Sequence, residues 1–204
     1  MNTKTILTIL TSLVATPVFA FDPPPVGSVA PDFSLTDAKS KTHSLSKYKG
    51  KYVVLEWFNP ECPFVKKHYG SDNMQKLQEE YTSKGVAWLT VDSNAPGTEG
   101  NLTAEQAEKI MTAWKTHQTA LLLDPDGKVG RAYGAKNTPN MVVIDPDGKI
   151  AYEGAIDSKA TPNPADIPTS TNYVKVALDE SLAGKPVSNP KTKPYGCSVK
   201  YKSS

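Results

Sequence analysis

The chain has 204 residues, of which 38% are hydrophobic and 22% are charged, as in an ordinary globular domain. This composition excludes a disordered chain and a chain made of membrane spans. The formal net charge of +2 excludes the strong basic surplus with which proteins hold nucleic acid, so we predict no nucleic-acid partner.

Residues 1–20 have the three parts of a secretory signal peptide. Lys4 supplies the positive start, an apolar run (ILTILTSLVA) follows, and Val18-Phe19-Ala20 forms a small-residue cleavage site. The alternative is an amphipathic first helix of the domain. A membrane span is excluded because the apolar run is too short to cross a bilayer. We predict cleavage after Ala20, secretion to the bacterial periplasm, and no membrane insertion of the mature chain.

Residues 21–184 alternate between strand and helix patterns, which predicts an α/β domain with a largely parallel sheet at its centre. Two helix starts are predicted, one by a pairing of Asp72 with Gln75 and one by a capping box of Thr103 with Gln106. The predicted strands are 32–35, 51–58, 86–91, 120–123 and 141–144, and the last predicted helix is 173–183.

A tail at residues 185–204 is rich in Lys, Pro and Ser and carries Cys197. Its composition predicts a solvated, partly mobile segment. The other cysteine, Cys62, lies 135 positions earlier, so no local zinc knuckle exists. In an oxidising compartment, an even number of cysteines favours a disulfide.

Cys62 stands where a buried strand ends and a helix begins, in the segment VVLEWFNPECPFV. Pro63 is a favoured first residue of a helix. At this place the unpaired backbone N–H groups and the helix dipole stabilise a thiolate, and Lys66 and Lys67 add positive charge. A reactive nucleophile is therefore the first interpretation of Cys62, and an inert buried cysteine is the alternative.

Several motifs occur in the order found in the thioredoxin superfamily. Residues 30–35 (APDFSL), 45–55 (LSKYKGKYVVL), 57–63 (WFNPECP) and 138–145 (TPNMVVID) resemble its exported TlpA/ResA-like and AhpC/TSA redoxin members. The ending GCSVK at 196–200 is similar to that of a peroxiredoxin-like subgroup. The resemblance covers residues 27–184 and implies a thioredoxin-like fold, with a central mixed β-sheet flanked by α-helices.

The resemblance also implies roles for individual residues. Cys62 falls on the first cysteine of the family's CxxC and Val65 on the second, so an ordinary dithiol cycle cannot close within this loop. Glu56 falls on the buried acid that moves a proton in relatives, and desolvation should raise its pKa. In an alternative register, Asn59 takes the place of the first cysteine and Cys62 that of the second.

Thr138-Pro139 resembles the family's cis-proline loop, whose backbone binds an extended sulfur-bearing chain beside the nucleophile. A cis X-Pro bond is accessible at modest cost, and a trans proline at a strand start is the alternative. We therefore expect Thr138 and Pro139 to lie against Cys62 and to bind substrate together with Asn59 and Pro63.

Three classes of function fit these residues. The first is a thiol–disulfide oxidoreductase, in which Cys62 attacks a protein disulfide and Cys197 or an external thiol reductant resolves the intermediate. The second is a peroxiredoxin-like peroxidase, but Asn59 stands where that group has Thr or Ser, and the only arginine, Arg131, is eight residues before Pro139. The third is a binding module without turnover.

A metallochaperone of the Sco type is one form of such a module. It would need a second cysteine at the position of Lys66 and a distant histidine, and the three histidines are His43, His68 and His117. The other form is a structural Cys62–Cys197 disulfide. We predict no metal and no other cofactor.

Overall fold

The computed structural model describes residues 23–202, so the predicted signal peptide at residues 1–20 lies outside the described residues. Nine strands are present in this part of the chain: β1 (Ser34–Asp37), β2 (Thr42–Ser44), β3 (Val53–Trp57), β4 (Ala87–Asp92), β5 (Ala120–Leu123), β6 (Asn137–Thr138), β7 (Asn140–Ile144), β8 (Ile150–Gly154) and β9 (Cys197–Ser198). Seven of them form one sheet in the order β2-β1-β5-β4-β3-β7-β8, and β6 pairs with β9 in a small second sheet.

Five α-helices accompany the sheet in the described residues: α1 (Pro63–Tyr69), α2 (Asn73–Ser83), α3 (Ala104–Ala113), α4 (Lys128–Ala132) and α5 (Tyr173–Leu182). Short 3-10 helices cover Leu45–Tyr48 and Pro164–Thr169. Between residues 23 and 202, no helix is both long enough and apolar enough to cross a membrane. The predicted α/β class, with a mixed sheet flanked by helices, is confirmed.

The sheet is less parallel than the sequence pattern predicts. Only β3, β4 and β5 run parallel, joined by helical crossovers, while β1, β2, β7 and β8 pair antiparallel. The reason is that β7 and β8 form a hairpin around the second DPDGK turn, where the N–H of Gly148 bonds the carbonyl of Asp145 at 2.9 Å. A hairpin reverses the chain without a helix, which the pattern of separate strands did not reveal.

Strand β3 divides the core into two layers because successive side chains point to opposite faces. Val54 and Phe58 face a layer formed with α1, α2, α3 and α5. Leu55 and Trp57 face a second layer, formed with α4 and the 3-10 helix at 45–48. Glu56 lies between Leu55 and Trp57 in sequence, so its side chain points to the same face as those of Val54 and Phe58, and it is fully buried. The strand thus carries one acidic side chain into the layer that also contains Cys62.

The two predicted helix starts differ in outcome. Thr103 and Gln106 form the reciprocal capping box at the start of α3, as the sequence predicts. The capping pair of Asp72 with Gln75 is wrong. Asp72 takes a left-handed conformation (φ 57°) with no side-chain cap, and Gln75 donates instead to the carbonyls of Tyr69 and Trp114. Long-range carbonyls that need a donor take precedence over the local cap.

The tail is bound to the body and not solvated as expected. The N–H of Thr192 donates to the carbonyl of Glu153 in β8, and the Thr192 hydroxyl accepts from the N–H of Ala155 at 2.9 Å. The hydroxyl of Tyr201 donates to the carbonyl of Ala135 at 2.6 Å. Between these anchors, Cys197 pairs with Thr138 across the β6–β9 ladder. The tail is therefore a structural part of the domain, and it brings Cys197 to a fixed place.

Candidate active site

Cys62 is the N-cap residue of α1. Its backbone is extended (φ −66°, ψ 123°), Pro63 is the first helical residue, and the N–H of Lys66 bonds the Cys62 carbonyl at 2.9 Å. The predicted junction of strand, cysteine and helix is therefore present. The side chain of Cys62 has 0% exposure, whereas Pro63 is exposed at the start of the helix.

The loop before β7 lies directly against this cysteine. The Thr138–Pro139 peptide bond is cis, as predicted. Both residues are buried, and the thiol of Cys62 donates to the carbonyl oxygen of Thr138 at 3.1 Å. The structure thus joins the two segments that the sequence places 76 residues apart.

Cys197 reaches the same place from the tail. In the antiparallel ladder of β6 with β9, Cys197 stands opposite Thr138, the residue whose carbonyl accepts from Cys62. Gly196 permits this approach, because its φ is +118° and a Cβ there would lie 2.0 Å from the Thr138 carbonyl oxygen. Both cysteines are free, and Cys197 packs against the side-chain layer that contains Cys62.

The pKa values of the two thiols are shifted in opposite directions. Burial raises the pKa of the Cys62 thiol, but hydrogen bonds from the side chain and backbone of Cys197, from Thr138 and from the N–H of Val65 outweigh burial, so the net pKa is lowered. For Cys197, burial, the hydrogen bond with Cys62 and the negative charge of Cys62 raise the pKa to about 12. Cys62 is therefore the thiol of the pair that ionises first.

Glu56 belongs to a buried polar network beneath α1, which we call the Glu56 cluster: Glu56, Tyr69, Gln78, Trp88 and Thr90. The carboxylate accepts from the Tyr69 hydroxyl at 2.8 Å and from Trp88 Nε1 at 2.8 Å. Burial raises the pKa of Glu56 to about 7, although these hydrogen bonds lower it in part. The predicted burial and raised pKa are confirmed. Tyr69 ends α1, whereas Cys62 precedes its first residue, so the cluster contacts the opposite end of the helix.

Asn59 is fully buried, and its side chain is used inside the protein. Its Oδ1 accepts from the N–H of Glu61 at 2.8 Å, and its amide packs so closely on Gly100 that a Cβ there would be 2.3 Å away. The expectation that Asn59 binds substrate therefore finds no support in this geometry. Asn59 shapes the loop that leads into Cys62 and holds the segment around Gly100 against it.

A second polar network also contacts α1, and we call it the Lys67 cluster: the buried Lys67, His68 and Asp157 with the half-buried Tyr195. Lys67 Nζ contacts Asp157 Oδ2 at 2.9 Å, with side-chain exposures of 0% and 1%. The Tyr195 hydroxyl donates to Asp157 Oδ1. The expectation that Lys67 adds charge at Cys62 is wrong, because its ammonium group is paired with the carboxylate of Asp157.

Acidity within the Lys67 cluster follows from that pairing. Burial raises the pKa of Asp157, but hydrogen bonds from Tyr195 and Lys67 outweigh burial, so the pKa is lowered. Burial lowers the pKa of His68 to about 4. Nothing in the local sequence distinguishes Lys67 from the exposed Lys66, because the partners Asp157 and Tyr195 come from distant parts of the chain.

Arg131 and His43, which bear on the alternative functions, make their contacts away from Cys62. Arg131 stacks on Tyr201 at 4.5 Å and donates to the carbonyls of Asp126 and Lys202. His43 contacts Asp37 at 2.8 Å. Within residues 23–202, no three His, Cys, Asp or Glu side chains come together in the way a metal ion requires.

Comparison with known proteins gives a consistent family. A model of the AhpC/TSA family matches residues 26–153, more than half of the chain. The thiol-disulfide oxidoreductase ResA of Geobacillus thermodenitrificans is 31% identical over 126 residues, which are 61% of this chain and 66% of that protein. The chain therefore matches slightly less than two thirds of that relative's length.

Two solved structures show the same fold. An uncharacterized conserved protein from Geobacillus kaustophilus superposes with a TM-score of 0.75 at 29% identity, covering 88% of this chain and 94% of that one. The thioredoxin domain of a thiol-disulfide oxidoreductase from Bacteroides vulgatus gives 0.52 at 23% identity, covering 72% and 97%. The predicted thioredoxin-like fold is confirmed.

Proposed function

The chain belongs to the AhpC/TSA family, and from that premise we propose that it is a thiol–disulfide oxidoreductase with Cys62 as nucleophile and Cys197 as resolving thiol. The observation that carries the proposal is the placement of Cys197 opposite Thr138, the residue whose carbonyl accepts from the Cys62 thiol. The name of the ResA relative, a thiol-disulfide oxidoreductase, favours the same chemistry.

Cys62 is assigned the first attack because its pKa is lowered and its sulfur is poised at a helix start. Its thiolate attacks one sulfur of a substrate disulfide. A bond forms between Cys62 and that sulfur, the substrate's S–S bond breaks, and the second substrate sulfur leaves as a thiolate that takes a proton from water.

Cys197 completes the exchange. The Cys197 thiol gives its proton to water, and its thiolate attacks the sulfur of Cys62 in the mixed disulfide. The Cys62–Cys197 bond forms, the bond between Cys62 and the substrate sulfur breaks, and that sulfur leaves as a thiolate that takes a proton from water. Two electrons thus pass from the cysteine pair to the substrate. An external thiol reductant returns two electrons to the pair for the next cycle.

The acidity of Cys197 fits this order of events. Its pKa of about 12 arises from burial, and then from its hydrogen bond with Cys62 and the charge on Cys62. In a mixed disulfide, Cys62 carries no charge, so the last two effects disappear and the Cys197 thiol becomes more acidic. The resolving thiol is thereby protected from early ionisation and is activated when its target forms.

Access to Cys62 requires a movement of the tail. Cys62 has 0% exposure, and β9 occupies the edge of Thr138 beside it. A substrate disulfide must align its S–S bond with the attacking sulfur, which needs open space at Cys62. We therefore place substrate entry in a state in which β9 has lifted from β6, and resolution in the state in which β9 has returned.

The experiment that tests the function is insulin reduction with dithiothreitol as the external reductant, run beside peroxide consumption. We expect the parent to reduce insulin disulfides, C62S to fall to the background rate, and C197S to slow while a mixed disulfide accumulates on Cys62. Parental activity in C62S would falsify the assignment of the nucleophile. Peroxide consumption without insulin reduction would favour the peroxidase alternative.

Export is a separate proposal, supported by the sequence of residues 1–20 and the pattern of two cysteines. We place the mature protein in the periplasm of a bacterium. Fractionation of cells, followed by mass spectrometry of the protein's N-terminus, is expected to find a periplasmic chain that begins at Phe21. A chain retained in the cytoplasm with its first twenty residues intact would contradict this placement.

A further inference from the structure

Tyr195 connects the tail to the helix that carries the nucleophile. It precedes Cys197 by two residues, and its ring packs against Phe64, two residues after Cys62, with the ring centroids 5.7 Å apart. Its hydroxyl donates to Asp157 Oδ1. The side chain therefore holds the tail beside both cysteines and not at a remote point.

The acceptor of that hydroxyl is itself fixed to α1. Asp157 pairs with Lys67 Nζ at 2.9 Å, and the same ammonium donates to the carbonyl of Lys159 at 2.8 Å. Lys67 lies in α1, five residues after Cys62. A continuous path of contacts therefore runs from the Cys62 helix through Lys67 and Asp157 to Tyr195, and through the backbone to Cys197.

The other tail anchors follow different paths. Thr192 bonds Ala155 and Tyr152 at the end of the sheet, and Tyr201 bonds Ala135 after α4. These contacts keep the tail on the body of the domain. Of Thr192, Tyr195 and Tyr201, only Tyr195 ties the tail to α1, so it adds a second tie between Cys197 and the helix of Cys62 to the β6–β9 ladder.

We propose that Tyr195 is a positioning residue for disulfide formation, which holds the Cys197 sulfur against Cys62 through Asp157 and Lys67. This inference rests on the proposed function, because it concerns the resolving step. A disulfide forms only within narrow limits of Cα separation and side-chain direction. Holding two reacting groups in place raises their effective concentration, and a hydrogen bond to an ionised acceptor is stronger than one between neutral groups.

The test compares the parent with Tyr195→Phe, which removes only the hydroxyl, and with Tyr133→Phe as a matched control. Tyr133 is buried, whereas Tyr195 is half-buried, and the Tyr133 hydroxyl likewise makes one hydrogen bond, to the carbonyl of Pro31 at 2.6 Å in the core layer opposite to Cys62. Each protein is equilibrated in buffers of reduced and oxidised glutathione. The fraction with a Cys62–Cys197 disulfide is then measured by alkylation and mass spectrometry.

We expect the equilibrium constant for the Cys62–Cys197 disulfide to fall about tenfold in Y195F, the effect of one charge-assisted hydrogen bond, and to stay at the parental value in Y133F. A general loss of stability would lower the equilibrium constant for the disulfide in both variants. A fall in Y195F alone therefore identifies a positioning role of Tyr195. If Y195F does not fold, Phe64→Leu replaces it, because this variant removes the ring partner of Tyr195 and keeps an apolar side chain.

The outcomes separate this inference from the function on which it rests. A parent that forms the disulfide, with Y195F (or F64L in its place) at the same equilibrium, overturns the positioning role and leaves the proposed function intact. A parent that forms no Cys62–Cys197 disulfide overturns both the resolving step and the role of Tyr195.

Discussion

The Glu56 cluster and the Lys67 cluster both pack against α1, yet the pKa values of their carboxyl groups are shifted in opposite directions. Glu56 accepts only from neutral donors, so burial dominates and its pKa rises to about 7. Asp157 accepts from the Tyr195 hydroxyl and also from the Lys67 ammonium group, and its pKa is lowered despite burial. The two carboxyls therefore differ in that only Asp157 has a countercharge within hydrogen-bond distance.

This difference gives the two clusters different uses. The lowered pKa of Asp157 keeps this carboxylate ionised through the neutral range, so its pair with Lys67 serves as a permanent anchor for the tail. The Glu56 cluster changes charge near pH 7 and therefore makes stability depend on pH.

Lys67→Met should destabilise the fold by about 3–5 kcal/mol, because it leaves the Asp157 carboxylate buried without its countercharge. The free energy of unfolding in urea measures the effect. The neighbouring exposed residue supplies the control, and Lys66→Met should change this free energy by about 0.5 kcal/mol or less. Equal losses of unfolding free energy in K67M and K66M would show that Lys67 stabilises the fold no more than an exposed lysine does.

Glu56→Gln should change how stability depends on pH. Because the pKa of Glu56 is about 7 in the fold against an ordinary 4.5, the folded state binds the proton more tightly, and this contribution is complete below about pH 4.5. It is lost as the pH rises through 7. The free energy of unfolding of the parent minus that of E56Q should therefore fall by about 3 kcal/mol between pH 4.5 and 8.

Urea titrations at a series of pH values measure this difference. Glu61→Gln removes an exposed carboxylate from the loop that precedes α1 and serves as the control. A difference between parent and E56Q that stays constant with pH would mean that Glu56 is ionised in the fold throughout this range.

Tyr69→Phe should have the smallest effect of the three. It removes the hydroxyl that donates to Glu56 at 2.8 Å, and the loss should be about 1–2 kcal/mol above pH 7, where the carboxylate is charged. Below pH 5 the loss should shrink, because the carboxyl group is then neutral. The same urea series detects this change, and a loss that grows toward acid pH would contradict the assignment.

Features decided by neighbouring residues could be predicted from the sequence. The junction at Cys62-Pro63 follows from a buried strand that meets a favoured helix start, and the burial of Glu56 follows from its place in an apolar strand. The cis bond at Thr138–Pro139 could be expected because the surrounding motif resembles a known loop. In each case, the determining residues lie within a few positions of one another.

The docking of the tail could not be predicted, because its composition indicates solvation and its partners are remote. Tyr195 contacts Asp157 across 38 positions, and Lys67 contacts it across 90. No periodicity encodes such contacts. The failed cap at Asp72 has the same origin, since Gln75 bonds Trp114, 39 residues away. The sequence therefore predicts the half of the site that holds Cys62 and not the half that positions Cys197.

The central claim is that Cys62 and Cys197 form one redox pair, and one equivalent of 5,5′-dithiobis(2-nitrobenzoate) tests it most directly. The parent should release two thionitrobenzoate ions per reagent molecule, because Cys197 displaces the second ion from the adduct on Cys62. C197S should release one ion and retain the adduct. A parent that also stops at one ion, with a stable adduct on Cys62, would contradict the account.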